Sequence, residues 1–118
     1  MDKKIFIYED SKGFSSLLKH YYSNKVIIDS SKDKNFIAHN YGDYQACFFM
    51  INNVRDYIIF EKVLNKIKTL FVITPVKLYE HKITSMQKEN IIILDFNDDI
   101  KRNIMKTINF NLELNNII

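Results

Sequence analysis

Short runs of apolar, β-branched and aromatic residues recur along this chain. Between them, apolar residues return every three or four positions. The first pattern suits buried strands, the second one face of a helix. Lys4-Ile5-Phe6-Ile7-Tyr8 opens the series as a strand, followed by the polar Glu9-Asp10-Ser11. Phe14, Leu17, Leu18, Tyr21 and Tyr22 then mark a helix, with Asp10 or Ser11 as its cap. Val26-Ile27-Ile28 predicts a second strand and Asp29-Ser30-Ser31 a turn. A short helix over about 32–39 would turn Phe36 and Ile37 inward, until Tyr41-Gly42-Asp43 breaks it.

The second half repeats the scheme. Ala46-Cys47-Phe48-Phe49-Met50-Ile51 is continuously apolar, as a strand covered on both faces should be, and Asn52-Asn53 ends it. A helix over about 55–68 turns Ile59, Phe60, Val63, Leu64 and Ile67 inward. Leu70-Phe71-Val72-Ile73-Thr74 is the fourth strand, stopped by Pro75. A weaker helix over about 77–88 offers Tyr79, Ile83 and Met86, and Ile91-Ile92-Ile93-Leu94 is the fifth strand. Asn97 or Asp98 caps a last helix carrying Ile100, Ile104 and Ile108 at every fourth position. The tail 109–118 alternates Asn with apolar residues, and either extends that helix or frays.

Five strands, each followed by a helix, predict an α/β fold of one domain over 1–118. Right-handed crossovers favour a parallel sheet of flavodoxin-like order 2-1-3-4-5 with helices on both faces. Function in such sheets collects at the carboxyl ends of the strands. Those ends are Glu9-Asp10, Asp29, Met50 to Asn53, Thr74-Pro75 and Leu94-Asp95.

Composition narrows the chemistry. The 118 residues are 47% hydrophobic and 26% charged, which suits a packed core. Two glycines cannot supply a GxGxxG or GxxxxGK[ST] phosphate cradle. The lone Cys47 excludes an internal disulfide and a Cys-based zinc site, and mid-strand it reads as a buried, inert thiol. His20, His39 and His81 have no ligand spacing. No apolar run is long enough to span a membrane, and Met-Asp-Lys-Lys leads into the first strand without the apolar segment of a secretory signal, so a cytoplasmic chain is expected. The net charge of +3 is spread along the chain, which disfavours nucleic acid as a partner.

The order and spacing of these elements resemble the receiver domain of two-component response regulators over nearly the whole chain. Lys4-Ile5-Phe6-Ile7-Tyr8-Glu9-Asp10 resembles the family's first strand with its closing acidic pair. Phe14-x-x-Leu17-Leu18 resembles its first helix, and Phe71-Val72-Ile73-Thr74 its fourth strand with a terminal Ser or Thr. Ile93-Leu94-Asp95-Phe96 stands where the family writes Lys-Pro-Phe.

The departures fall on the chemistry. Family members accept a phosphoryl group on an Asp that ends strand three. Here Met50 takes that place, or Asn52 if the register slips by two. A thioether has no nucleophilic oxygen, and an amide is a poor nucleophile. Leu94, or Asp95 on a slip of one, replaces the family's phosphate-holding Lys. Thr74 remains at the family's switch position, although a strand-end Thr also satisfies a turn amide. In the family an acidic pair such as Glu9 and Asp10 holds Mg²⁺ together with the acceptor carboxylate. Without that carboxylate the pair is vestigial, and no cofactor is expected beyond weak Mg²⁺ binding.

The resemblance therefore implies an atypical, phosphorylation-independent receiver-like domain of bacterial signalling or regulation, not an enzyme, that acts by protein–protein interaction. The family's partner face joins the fourth helix, fifth strand and fifth helix. On this chain it would carry Tyr79, Lys82, Ile91, Lys101, Arg102 and Asn103. A homodimer through that face would set Lys101 and Arg102 against Asp98 and Asp99 of a second copy. Two alternatives remain: a phospho-accepting regulator with the acceptor displaced to Asp56 or Asp95, and a small-ligand flavodoxin-like binder. Glu9-Asp10 has the wrong sign for a phosphate loop after strand one.

Overall fold

The computed structural model describes residues 3–9, 13–31, 43–94 and 100–118, with the side chains of 100–103 outside the description. The elements are β1 (Lys4–Tyr8), α1 (Gly13–Tyr22), β2 (Ile27–Ser31), β3 (Ala46–Met50), α2 (Val54–Val63), β4 (Thr69–Ile73), α3 (Lys77–Ser85), β5 (Ile91–Ile93) and α4 (Ile100–Leu114). The strands form one parallel sheet in the order β2-β1-β3-β4-β5. This is the flavodoxin-like order expected from the sequence. The helix expected over 32–39 lies outside the described residues.

Strand alternation divides the core between the two faces of the sheet. Ile5, Ile7, Ala46, Phe48, Phe71 and Ile73 face α1 and α4, where Leu18, Ile104, Ile108 and Leu112 cover them. Phe6, Tyr8, Cys47, Phe49, Leu70 and Val72 face α2 and α3, under Phe60, Val63 and Ile83. Burying each large side chain contributes about 1.5–3 kcal/mol. Phe48 and Phe71, neighbours on β3 and β4, stack at 4.3 Å and 6°.

Several boundaries differ from the sequence reading, each for a local reason. Asp29-Ser30-Ser31 is strand, not turn: it pairs with Phe6-Ile7-Tyr8 of β1, and the ladder outweighs its polar composition. Val26 sits just before β2 instead of within it, and its N–H closes on the Tyr22 carbonyl at 3.0 Å. Helix α2 stops at Val63, five residues early, where the Asn90 side chain donates to the carbonyls of Leu64 and Ile67 at 3.3 and 3.2 Å. Helix α3 stops at Ser85, ahead of Gln87 in a left-handed conformation (φ 51°).

The tail does not fray. After α4, Asn116 adopts φ 58°, the Ile117 N–H donates to the Leu112 carbonyl at 2.8 Å, and the Asn116 N–H donates to Glu113 at 3.0 Å. This is a Schellman cap, with its accompanying apolar contact between Ile117 and Leu112 in the core. Among the described residues no helix is long and apolar enough to cross a membrane.

Candidate functional site

In a parallel sheet the strands end on one edge, so the described side chains that end β1, β3, β4 and β5 define what this carboxyl edge can do. Phe49 pairs with Tyr8, and one further step sets Met50 level with Glu9. Met50 is half-buried and packs toward the α1 and α4 side of the core. Glu9 is buried, and its Oε1 accepts a hydrogen bond from the Ser15 N–H at 3.0 Å. That carboxylate therefore holds the first turn of α1, where the N–H groups have no helical partner. Asp10 and Ser11, the expected caps, lie outside the described residues.

The turn after β3 is built from its own polar side chains. Asn53, with extended backbone, is the N-cap of α2: its Oδ1 accepts from the Asp56 N–H at 3.0 Å. The Asp56 carboxylate reaches back to accept from the Asn52 N–H at 3.0 Å. Asp56 has no exposed surface, so the carboxylate offered above as a displaced acceptor is enclosed beneath this turn. Asp95, the other such carboxylate, lies outside the described residues.

Thr74 follows β4, and its Oγ1 accepts from the Val76 N–H at 3.1 Å, shaping the turn into α3. Leu94, at the position of the family's lysine, is buried in the apolar cluster beneath α1 and α4, and its N–H continues the ladder to Val72 at 2.9 Å. Among the described residues no three His, Cys, Asp or Glu side chains converge as metal ligands. Of the described carboxylates of this edge, Glu9 accepts from the Ser15 N–H through Oε1 and Asp56 from the Asn52 N–H through Oδ2.

The residues expected on a partner face divide. Tyr79 stacks on Tyr57 of α2 at 5.0 Å and 15°, and the Lys82 ammonium sits 5.6 Å over the same Tyr57 ring. Both therefore turn toward α2, and with about 3.6 residues per turn Glu80 and Thr84 take the opposite flank of α3. Ile91 is half-buried against the α2 and α3 core. Lys101, Arg102 and Asn103 belong to α4, and their side chains lie outside the description, as do Asp98 and Asp99.

Three features were not read from the sequence. Burial and the hydrogen bond from its hydroxyl to Asp29 Oδ2 at 2.9 Å push the Tyr44 phenol well above its ordinary range. Burial, then the charge of Glu113 and the neighbouring Tyr21, raise that of Tyr22. An open groove also runs between α1 and α4, with Tyr21 and Phe110 on its walls. Each joins residues far apart in the chain, so no local pattern announces it. No family model, curated protein or solved structure matches this chain.

Proposed function

We propose that this chain is a receiver-like interaction module that works without phosphorylation, in cytoplasmic bacterial signalling or regulation. The reading rests on the flavodoxin-like sheet and on its resemblance to receiver domains in the order of strand-end residues. The observation that carries it is Met50 standing level with Glu9 where such a domain needs its acceptor carboxylate.

Phosphoryl transfer to a side chain needs an oxygen nucleophile, a cation to neutralise the phosphoryl oxygens, and a donor to hold them. Met50 offers a thioether, Glu9 already accepts from the Ser15 N–H through one carboxylate oxygen, and Leu94 places an alkyl group where the lysine would be. Thr74 accepts from the Val76 N–H and so supports the turn. Such a domain acts through recognition of its resting surface by a protein partner, because no covalent event shifts it between two states. Incubation of the chain with acetyl phosphate and Mg²⁺, followed by intact-mass measurement, tests the reading. The expected result is an unchanged mass, and a gain of one phosphoryl group overturns it.

A further inference from the structure

We infer that the open groove between α1 and α4 is the surface through which two copies of this chain pair. The groove has a volume of about 480 Å³. Tyr21, at 54% exposure, and Phe110, at 63%, stand on its walls. Two exposed aromatic rings beside one concavity form the kind of apolar anchor that sits at the centre of protein interfaces.

Tyr22 and Asn109, which line the groove, are hydrogen-bonded within the chain. The buried Tyr22 hydroxyl donates to Asn109 Oδ1 at 3.2 Å, and the Asn109 amide donates to Glu113 Oε1 at 3.2 Å. An occupant is therefore offered ring faces and a charged rim. That rim carries Lys25 and Lys106 together with Glu113. Mixed sign disfavours a strongly anionic ligand or nucleic acid, which would select for positive charge alone. It suits a second copy, because a two-fold interface must carry both members of each complementary pair on one patch.

The spacing on α4 supplies the register. Lys106 and Glu113 are separated by two helical turns and line the same groove, with Asn109 and Phe110 midway between them. Two α4 helices packed antiparallel about an axis through that midpoint set Lys106 of each copy opposite Glu113 of the other. The same axis brings each Phe110 ring to the other copy's groove, against Tyr21. Two ion pairs then flank a central aromatic cluster.

This assignment rests on the reading of the chain as an interaction module and identifies the partner. Sedimentation equilibrium of the full chain tests it, with circular dichroism melts to confirm that each variant folds. The expected result is a dimer that weakens by about tenfold or more in Phe110→Asp, in Lys106→Glu and in Glu113→Lys. The combined Lys106→Glu, Glu113→Lys variant should recover affinity to within about threefold of the parent, because it exchanges the partners of the same pairs. A chain that stays monomeric up to about 1 mM in low salt overturns the assignment. So does a dimer indifferent to these substitutions, or a double reversal no tighter than the single ones. A gain of phosphoryl mass would instead overturn the interaction-module reading, so the two failures are separable.

Discussion

Tyr8 of β1 and Phe49 of β3 lie opposite each other in the parallel ladder, with their rings stacked at 5.0 Å. Their pairing fixes the register at the carboxyl edge and sets Met50 level with the buried Glu9. Met50→Asp should therefore place two carboxylates side by side. We expect a loss of about 1–3 kcal/mol at neutral pH in EDTA. Protonation relieves the repulsion, so the loss should be smaller near about pH 4. Added Mg²⁺ should recover part of it by linkage. Urea unfolding under these conditions is the measurement. A variant as stable as the parent in EDTA would separate position 50 from Glu9.

The same register shows what the sequence disclosed and what it hid. The continuous apolar runs of β3 and β4 and the helical spacing of Phe14, Leu18 and Tyr22 announced their elements, because their partners are whatever apolar surface lies alongside. Asp29-Ser30-Ser31 did not announce a strand, because its stability comes from the ladder to β1 and not from its side chains. Glu9 is legible in the sequence as a strand-end carboxylate, but its hydrogen bond with the Ser15 N–H is not, because that amide lies six residues on. The flank of α3 carrying Tyr79 became visible only through Tyr57, on a helix more than 20 residues earlier.

The turn into α2 can be tested side chain by side chain. Asn53→Ala removes the acceptor for the Asp56 N–H and should cost about 1 kcal/mol. Asp56→Ala removes a carboxylate that has no exposed surface, strips the Asn52 N–H of its partner, and should cost more, about 1–3 kcal/mol. Denaturant midpoints decide the order. A costlier Asn53→Ala would mean that the buried carboxylate contributes little to holding this turn.

At the carboxyl terminus, Asn116 stands in a left-handed conformation that penalises residues with a branched Cβ. Asn116→Val should destabilise by about 1–2 kcal/mol, whereas Asn116→Gly should be neutral or slightly stabilising. Ile117→Ala should cost about 2–4 kcal/mol, because Ile117 is buried against Leu112. Thermal melts of the three variants test the cap. Equal melting temperatures for Ile117→Ala and the parent would mean that the tail leaves the core without cost.

Alkaline pH should destabilise the protein through groups that the fold keeps protonated. Burial raises the Cys47 thiol well above its ordinary 9.0. The Tyr22 and Tyr57 phenols rise above 10.0, mainly by burial, with help from Glu113 and Glu61 respectively. Tyr44 rises furthest of the three phenols, through burial and then its bond to Asp29. Each is a group whose native pKa exceeds its unfolded value. The native state therefore binds more protons than the unfolded chain once pH passes the unfolded pKa. The stability that these groups confer is complete below about pH 8 and declines as pH climbs through 9 and 10 toward their native values. Tyr44→Phe isolates one contribution. Near about pH 7 the variant should lose about 1–2 kcal/mol, because Asp29 forfeits its hydroxyl donor. Phe has no proton to release, so its stability should fall less steeply, and the two curves should converge above about pH 10. Urea midpoints at a series of pH values measure both slopes. Parallel curves would show that the Tyr44 hydroxyl ionises alike in the folded and unfolded chain, and that its bond to Asp29 does not hold the proton.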